Sequence, residues 1–112
     1  MDLKIRRMES TYIIDAQGDM DLYNSTELRK VFMKMLEKKV ERLILNFEAV
    51  EYIDSSGIGT LIFICSTSKR ANMKLAIAQV HGAVKKAMQL TKLLGYFPIT
   101  EDLTSALDMV RD

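Results

Sequence analysis

The sequence predicts a single α/β domain over residues 1–112, with a mixed sheet of four or five strands and about four helices. Three observations lead to this prediction. Two short strand patterns come first, apolar strand and helix patterns then alternate to the end of the chain, and no linker, repeat or low-complexity tract interrupts them. Alternation of this kind favours parallel strands joined by right-handed crossovers, with one face of the sheet covered by more helices than the other.

The first part of the chain reads as a hairpin followed by a helix. Alternating residues over 3–17 predict two antiparallel strands around a turn at 9–11, and a polar turn at 18–21 ends the second strand. Asn24 or Ser25 is expected to open the first helix, because Asn24 with an acidic residue three positions later is close to a capping box.

The rest of the chain follows the same reasoning, with apolar runs predicting buried strands and apolar residues at three- and four-residue spacing predicting helices. An asparagine can end a helix in the left-handed conformation, as glycine often does. The predicted elements are a strand over 42–47, a helix that begins at the Ser55 junction and ends near 70–72 with Asn72 left-handed, a strand over 73–80, a helix through Val84 and Met88 closed by Gly95, an extended piece over 97–100 and a last helix capped by Thr100 or Asp102.

The stretch Asp54-Ser55-Ser56-Gly57 lies at the junction between a strand and an amphipathic helix. A serine hydroxyl there can cap the helix, whose N-terminal amides and dipole favour an anion. A phosphate on Ser55 would be tolerated by the fold and would add ~1.5–2 negative charges to an exposed surface. The plain interpretation is an ordinary helix cap, made by the serines or by Asp54.

Composition excludes several classes of partner and site. Hydrophobic residues make up 48% and charged residues 28%, and 16 basic against 15 acidic residues give a net charge of +1, which leaves no charge excess for binding nucleic acid or anionic lipid. The longest charge-free stretch, 55–68, is shorter than the ~20 residues that span a bilayer, and no signal peptide is visible, so we expect a cytoplasmic protein. Cys65 reads as a buried thiol, and His81 has no set of metal ligands around it.

Catalytic motifs are not evident, and we expect neither an enzyme nor a bound cofactor or metal. No glycine precedes Ser55 in the pattern of an esterase nucleophile, and Gly57-Ile58-Gly59 lacks the lysine of a phosphate-binding loop. Asp21 and Asp54 could converge at one edge of the sheet, but hard cations usually take more carboxylates than two.

The Asp-Ser-Ser-Gly stretch resembles the phosphorylation motif of the anti-sigma-factor antagonists, the STAS-domain family. The serine directly after the aspartate is the phosphorylated one in that family, which implies Ser55, and Ser56 matches the next position. Looser resemblances lie at 18–21, 90–97 and 100–107, so the likeness covers nearly the whole chain. The chain departs from the family pattern in having no glycine before the strand that starts at Met73.

This resemblance implies a function in transcription control by protein binding. It implies a docking face made of Asp21, Asp54, Ser55, Ser56 and Gly57, and a partner that is both anti-sigma factor and serine kinase. The unphosphorylated protein would hold this partner and release a sigma factor, and phosphorylation of Ser55 would end the binding. A metal-dependent serine phosphatase would reset the switch.

Two other functions stay open at this point. A STAS module can instead be an interaction subunit of a lipid-transport ABC system or a signalling scaffold, in which Ser55 need not be modified. A small serine or nucleotide hydrolase is the alternative from a different class, and it would require turnover by the isolated chain.

Overall fold

Five strands and four helices make up the computed structural model, which describes residues 1–111. In chain order the elements are β1 (Asp2–Met8), β2 (Thr11–Gln17), α1 (Leu22–Glu37), β3 (Arg42–Ala49), α2 (Ser55–Arg70), β4 (Lys74–Ala78), α3 (Gly82–Leu90), a 3₁₀ turn (Leu94–Tyr96), β5 (Ile99–Thr100) and α4 (Leu103–Val110). The order of elements and the fold class agree with the prediction.

The strands form one mixed sheet in the order β1-β2-β3-β4-β5. β1 and β2 pair antiparallel as the predicted hairpin, and β2, β3, β4 and β5 pair parallel. Register aligns Ile14 with Leu45 and Leu45 with Ile77, so apolar side chains on adjacent strands stack across the same face. The parallel order places the ends of β2 and β3, and the starts of the helices that follow them, at one edge of the sheet.

Alternate residues of the central strands face two apolar clusters of different size. Ile14, Leu45 and Ile77 belong to the larger cluster, which α1, α2 and α3 complete. Ile13, Ile44 and Ala76 belong to the smaller one, which α4 covers through Ala106 and Val110. The prediction that one face carries more helices than the other is therefore confirmed.

The start of α1 differs from the prediction. Neither Asn24 nor Ser25 opens the helix; Asp21 is the N-cap, and its Oδ1 accepts a hydrogen bond from the Asn24 amide at 2.9 Å. The Asn24 side chain instead donates to the Asp19 carbonyl at 2.7 Å. Aspartate and asparagine are comparable caps, so the pattern alone did not separate the two positions.

The end of α3 also differs. The helix ends at Leu90, and the chain turns at Lys92, whose φ of 62° lies in the left-handed region. Gly95 lies within the 3₁₀ turn and does not close the helix. A lysine in this conformation carries no sequence signal, whereas Gly95 offered an obvious one.

Other local predictions are confirmed. Asn72 follows α2 with φ of 57°, and Asp102 caps α4 by accepting from the Ser105 amide at 2.8 Å. Cys65 is buried, and burial raises the pKa of its thiol to about 11, so it stays protonated at neutral pH. Within residues 1–111, no helix has both the length and the apolar character needed to cross a bilayer.

Candidate functional site

The turn after β2 and the segment before α2 are joined side by side at one edge of the sheet. Met20 and Ile53 form an isolated parallel bridge, in which the Met20 amide donates to the Tyr52 carbonyl at 2.8 Å and the Asp54 amide donates to the Met20 carbonyl at 3.1 Å. Asp21 directly follows Met20, and Asp54 directly follows Ile53. The structure therefore brings the two predicted acids to the same edge, and both line one shallow groove of about 610 Å³.

Both acids cap a helix. Asp21 caps α1, and Asp54 caps α2 by accepting from the Gly57 amide at 3.0 Å through Oδ1. Of the two caps that the sequence allowed, Asp54 is the one observed, and a serine hydroxyl does not make the cap, since Ser55 is already the first residue of the helix. Aspartate is favoured at this position by both its hydrogen bond and its charge at the positive end of the helix dipole.

The two serines differ in their surroundings. Ser55 is exposed, and its hydroxyl makes no hydrogen bond to any residue of the described 1–111. Ser56 is half-buried and lines the space between α1 and α2. A protein that modifies this junction from outside thus has freer access to Ser55.

Close packing of the backbone around position 57 leaves room only for glycine. A Cβ atom built there would lie 2.5 Å from the Met20 carbonyl oxygen and 2.6 Å from Cγ1 of Ile53. Only glycine leaves room for the bridged pair to pass under the first turn of α2. Gly57 is buried, and it supports the Asp54-Ser55 junction from beneath.

Three large side chains at this edge were missed by sequence reasoning. Leu22 is 70% exposed, Tyr23 is 75% exposed and Tyr52 is 51% exposed, next to the capping acids. Leu22 and Tyr23 precede the apolar stripe of α1, so their off-stripe position was the available signal. Exposed aromatic and aliphatic groups beside carboxylates are suited to contacting another protein.

The chemistry available at this edge is that of recognition by acids, hydroxyls and apolar groups. Within residues 1–111, no group of three or more His, Cys, Asp or Glu side chains comes together as a metal-binding cluster. His81 lies at the entrance to α3, and its Nε2 contacts the Glu48 carbonyl at 2.8 Å. The two acids of the edge already use one carboxylate oxygen each as helix caps.

Comparison with known proteins points to one family. The family model of the STAS domain matches residues 2–106. An anti-sigma-B factor antagonist of Staphylococcus aureus (strain NCTC 8325 / PS 47) is 22% identical over 101 residues, which cover 90% of this chain and 94% of that relative.

Solved structures share the fold. The crystal structure of an anti-sigma factor antagonist from Mycobacterium paratuberculosis is similar with a TM-score of 0.89 at 20% identity, over 99% of this chain and 94% of that one. The structure of the Bacillus cell fate determinant SpoIIAA in the phosphorylated form is similar with a TM-score of 0.74 at 19% identity, over 98% of this chain and 100% of that one.

Proposed function

The chain belongs to the STAS domain family, and from that premise we propose that it is an anti-sigma-factor antagonist switched by phosphorylation of Ser55. Unphosphorylated, it holds an anti-sigma factor that is also a serine kinase, so that a sigma factor is released for transcription. Phosphorylated, it lets this partner go. The curated relative of Staphylococcus aureus carries the antagonist name, which supports the same class for this chain.

The observation that carries the proposal is the Met20–Ile53 bridge. It sets Asp21 beside the Asp54-Ser55 junction, so the acids and the hydroxyl present themselves together to a single partner. Ser55 is exposed in this arrangement and is not needed as a helix cap, because Asp54 makes that bond. The hydroxyl can therefore be modified without loss of the cap.

Electrostatics explains how one phosphate changes binding and leaves the fold intact. The N-terminal turn of α2 tolerates an added negative charge, since the helix dipole favours anions there. The same charge would face the partner next to Asp21 and Asp54, at an interface formed without it. Burying an unmatched charge costs a few kcal/mol, which corresponds to about a hundredfold in affinity.

The kinase partner supplies ATP and the catalytic groups, so Ser55 is a substrate and the docking face positions it. A metal-dependent serine phosphatase removes the phosphate and restores binding. This cycle belongs in the cytoplasm, where sigma factors act. The structure of SpoIIAA in a phosphorylated form gives this proposal a precedent within the same fold.

Mass analysis with the candidate kinase tests the modification site. Incubation with ATP and a kinase-type anti-sigma factor should add one phosphate to the wild type and to Ser56→Ala, and none to Ser55→Ala. Ser56→Ala is the matched control, because it removes the neighbouring hydroxyl from the same helical turn. Phosphate mapped to Ser56, or retained in Ser55→Ala, would refute the assignment.

Calorimetry with the same partner tests the switch. Ser55→Asp should fold normally and bind about a hundredfold more weakly, whereas Ser55→Ala should bind as the wild type does. Equal affinity of wild type and Ser55→Asp would contradict switching by charge at this position.

A further inference from the structure

Acidic residues are absent from a long segment of this chain. Residues 55–100 contain six lysines and arginines and no Asp or Glu, so all 15 acidic residues lie before or after them. The segment comprises α2, β4, α3 and β5, and it forms one side of the domain because β4 and β5 are the last two strands in the sheet order. The net charge of +1 averages this basic side with the acidic remainder, so the lack of a charge excess in the whole chain does not describe this surface.

Lysines and leucines lie together on the outer surface of α3 and the turn after it. Two exposed lysines of α3 and one just beyond it accompany two leucines, of which Leu90 is 77% exposed and Leu93 is 40% exposed. We call this surface the α3 patch, and its residues are Lys85, Lys86, Leu90, Lys92 and Leu93.

The positive charge of the α3 patch is not neutralised by the rest of the described chain. Lys85, Lys86 and Lys92 make no side-chain hydrogen bond or ion pair with any of residues 1–111. A fourth cation lies nearby, since Nζ of Lys69, at the end of α2, is 4.5 Å from the centre of the Tyr96 ring in the same turn. The patch therefore presents unpaired ammonium groups to whatever approaches it.

Leu90 is apolar surface that the core does not use. Helix α3 packs on the core through Val84 and Met88, and Leu90 lies outside that stripe. Lys86 precedes Leu90 by four residues, so its aliphatic stem can run beside the leucine while its ammonium group points outward. Exposed leucines flanked by lysines are suited to a lipid surface, where apolar side chains enter the acyl boundary and ammonium groups stay among the headgroups.

The kind of cation favours a lipid surface over a protein or a nucleic acid. All cations of the α3 patch are lysines, whereas arginine and aromatic residues supply most anchors at protein interfaces, where lysine is depleted. Arginine also provides the rigid fork that pairs with phosphates held in a fixed geometry. A lysine is a hydrated point charge on a flexible stem, which suits anionic headgroups that move within a fluid layer.

We propose that the α3 patch binds the surface of a membrane that contains anionic lipid, with Leu90 and Leu93 at the acyl boundary and the lysines on headgroup phosphates. Helix α3 begins at the sheet edge that carries Ser55, because β3 and β4 are parallel, and it runs toward the opposite edge. Leu90 and Lys92 therefore lie away from the docking face, which stays open to its partner. Membrane binding stands or falls independently of the switch at Ser55.

Sedimentation of the full chain with lipid vesicles tests the proposal. At low salt the protein should sediment with vesicles that contain phosphatidylglycerol and stay in solution with vesicles of phosphatidylcholine alone. Raised salt should release it, because screening weakens attraction between exposed charges. Leu90→Ser should weaken binding severalfold and leave the melting temperature unchanged, because Leu90 is outside the core.

Two double variants separate the patch from the net charge. Lys85→Gln with Lys86→Gln should weaken vesicle binding by about tenfold or more, since each lysine near an anionic surface adds to the attraction. Lys4→Gln with Lys30→Gln is the matched control, because it removes the same charge from exposed positions of β1 and α1 and should change binding much less.

Equal binding to the two kinds of vesicle, or equal losses in the two double variants, would overturn the proposal. So would a Leu90→Ser variant that binds as the wild type does. Saturable binding to polyglutamate or to duplex DNA, with none to phosphatidylglycerol vesicles, would also overturn it and would identify an acidic protein segment or a nucleic acid as the occupant.

Discussion

Gly57 and Gly59, two residues apart near the start of α2, should respond in opposite ways to substitution by alanine. Gly57→Ala should lower the free energy of unfolding by about 1–3 kcal/mol, because the new Cβ would collide with the Met20 carbonyl. Gly59→Ala is the matched control and should raise it by about 0.5–1 kcal/mol, because its site is open and alanine favours a helix. Urea unfolding of both variants measures the two effects, and equal destabilisation would contradict the packing argument.

Single residues show where sequence reasoning reached the site and where it did not. Asp54 and Ser55 were identifiable because a short motif fixes them in order along the chain. The exposure of Leu22 and Tyr23 was missed, although their position outside the apolar stripe of α1 was a weak signal, since periodicity marks the residues that face the core and says little about the others. Ser56 entered as part of the motif, but its place against α1 depends on tertiary packing.

At the level of elements, Asp21 at the start of α1 caps the helix and is also proposed to bind the partner, and two substitutions can separate these roles. Asp21→Ala should cost about 1 kcal/mol in stability, since it removes the N-cap bond to Asn24. Asp21→Asn should keep the cap, because asparagine caps as well as aspartate, and remove the charge.

Under the proposed function, Asp21→Asn and Asp21→Ala should both weaken partner binding, while only Asp21→Ala lowers the melting temperature. Thermal unfolding and calorimetry on the same preparations measure the two quantities. Wild-type affinity of the folded Asp21→Asn protein would show that Asp21 serves the cap alone.

A polar chain connects the first three strands on the sheet face opposite α1. Arg6 of β1 donates to Asp15 of β2 at 2.6 and 3.0 Å, and Asn46 of β3 donates to the same carboxylate at 2.7 Å. Burial raises the pKa of Asp15, but the hydrogen bonds from Arg6 and Asn46 and the charges of Arg6 and Lys4 outweigh it, so the pKa lies below its usual value.

This lowered pKa predicts a pH-dependent contribution to stability. The folded protein holds the Asp15 proton less tightly than the unfolded chain, so the contribution is full above the unfolded pKa of about 4 and is lost as pH falls through the folded value. The difference in unfolding free energy between wild type and Asp15→Asn should therefore shrink as pH drops below about 4. Urea titrations at a series of pH values measure it, and a constant difference down to pH 3 would contradict the argument.

The boundaries of elements were predicted less well than their identities. β5 and α4 were found from a short extended piece and a capping aspartate, and Asp102 does cap α4. The end of α3 was placed too late because its turn depends on Lys92 in the left-handed region. Such a conformation follows from the packing of the next segment and leaves no mark in residue type.

On the scale of the whole molecule, opposite charges gather at opposite ends. The edge that carries Ser55 also carries Asp19, Asp21, Glu51 and Asp54 beside the N-terminal amine of Met1, and the far ends of α1 and α2 carry five cations, Lys34, Lys38, Lys39, Lys69 and Arg70, against two acids, Glu37 and Glu41. Part of this follows from helix dipoles, which favour acids at N-termini and bases at C-termini. The net charge of +1 conceals the separation, because only the fold sorts the charges into two ends.

This separation predicts how the proposed partner approaches. An acidic docking face attracts a basic surface, so raised salt should slow association and leave dissociation nearly unchanged. Glu51→Gln should slow association severalfold at low salt, because Glu51 is exposed at the acidic edge and is not a helix cap. Lys38→Gln, at the opposite end, is the control and should associate at the wild-type rate. Stopped-flow measurements at two salt concentrations test the role of charge in association. If the association rate of the wild type does not change with salt, the acids of this edge do not steer the encounter.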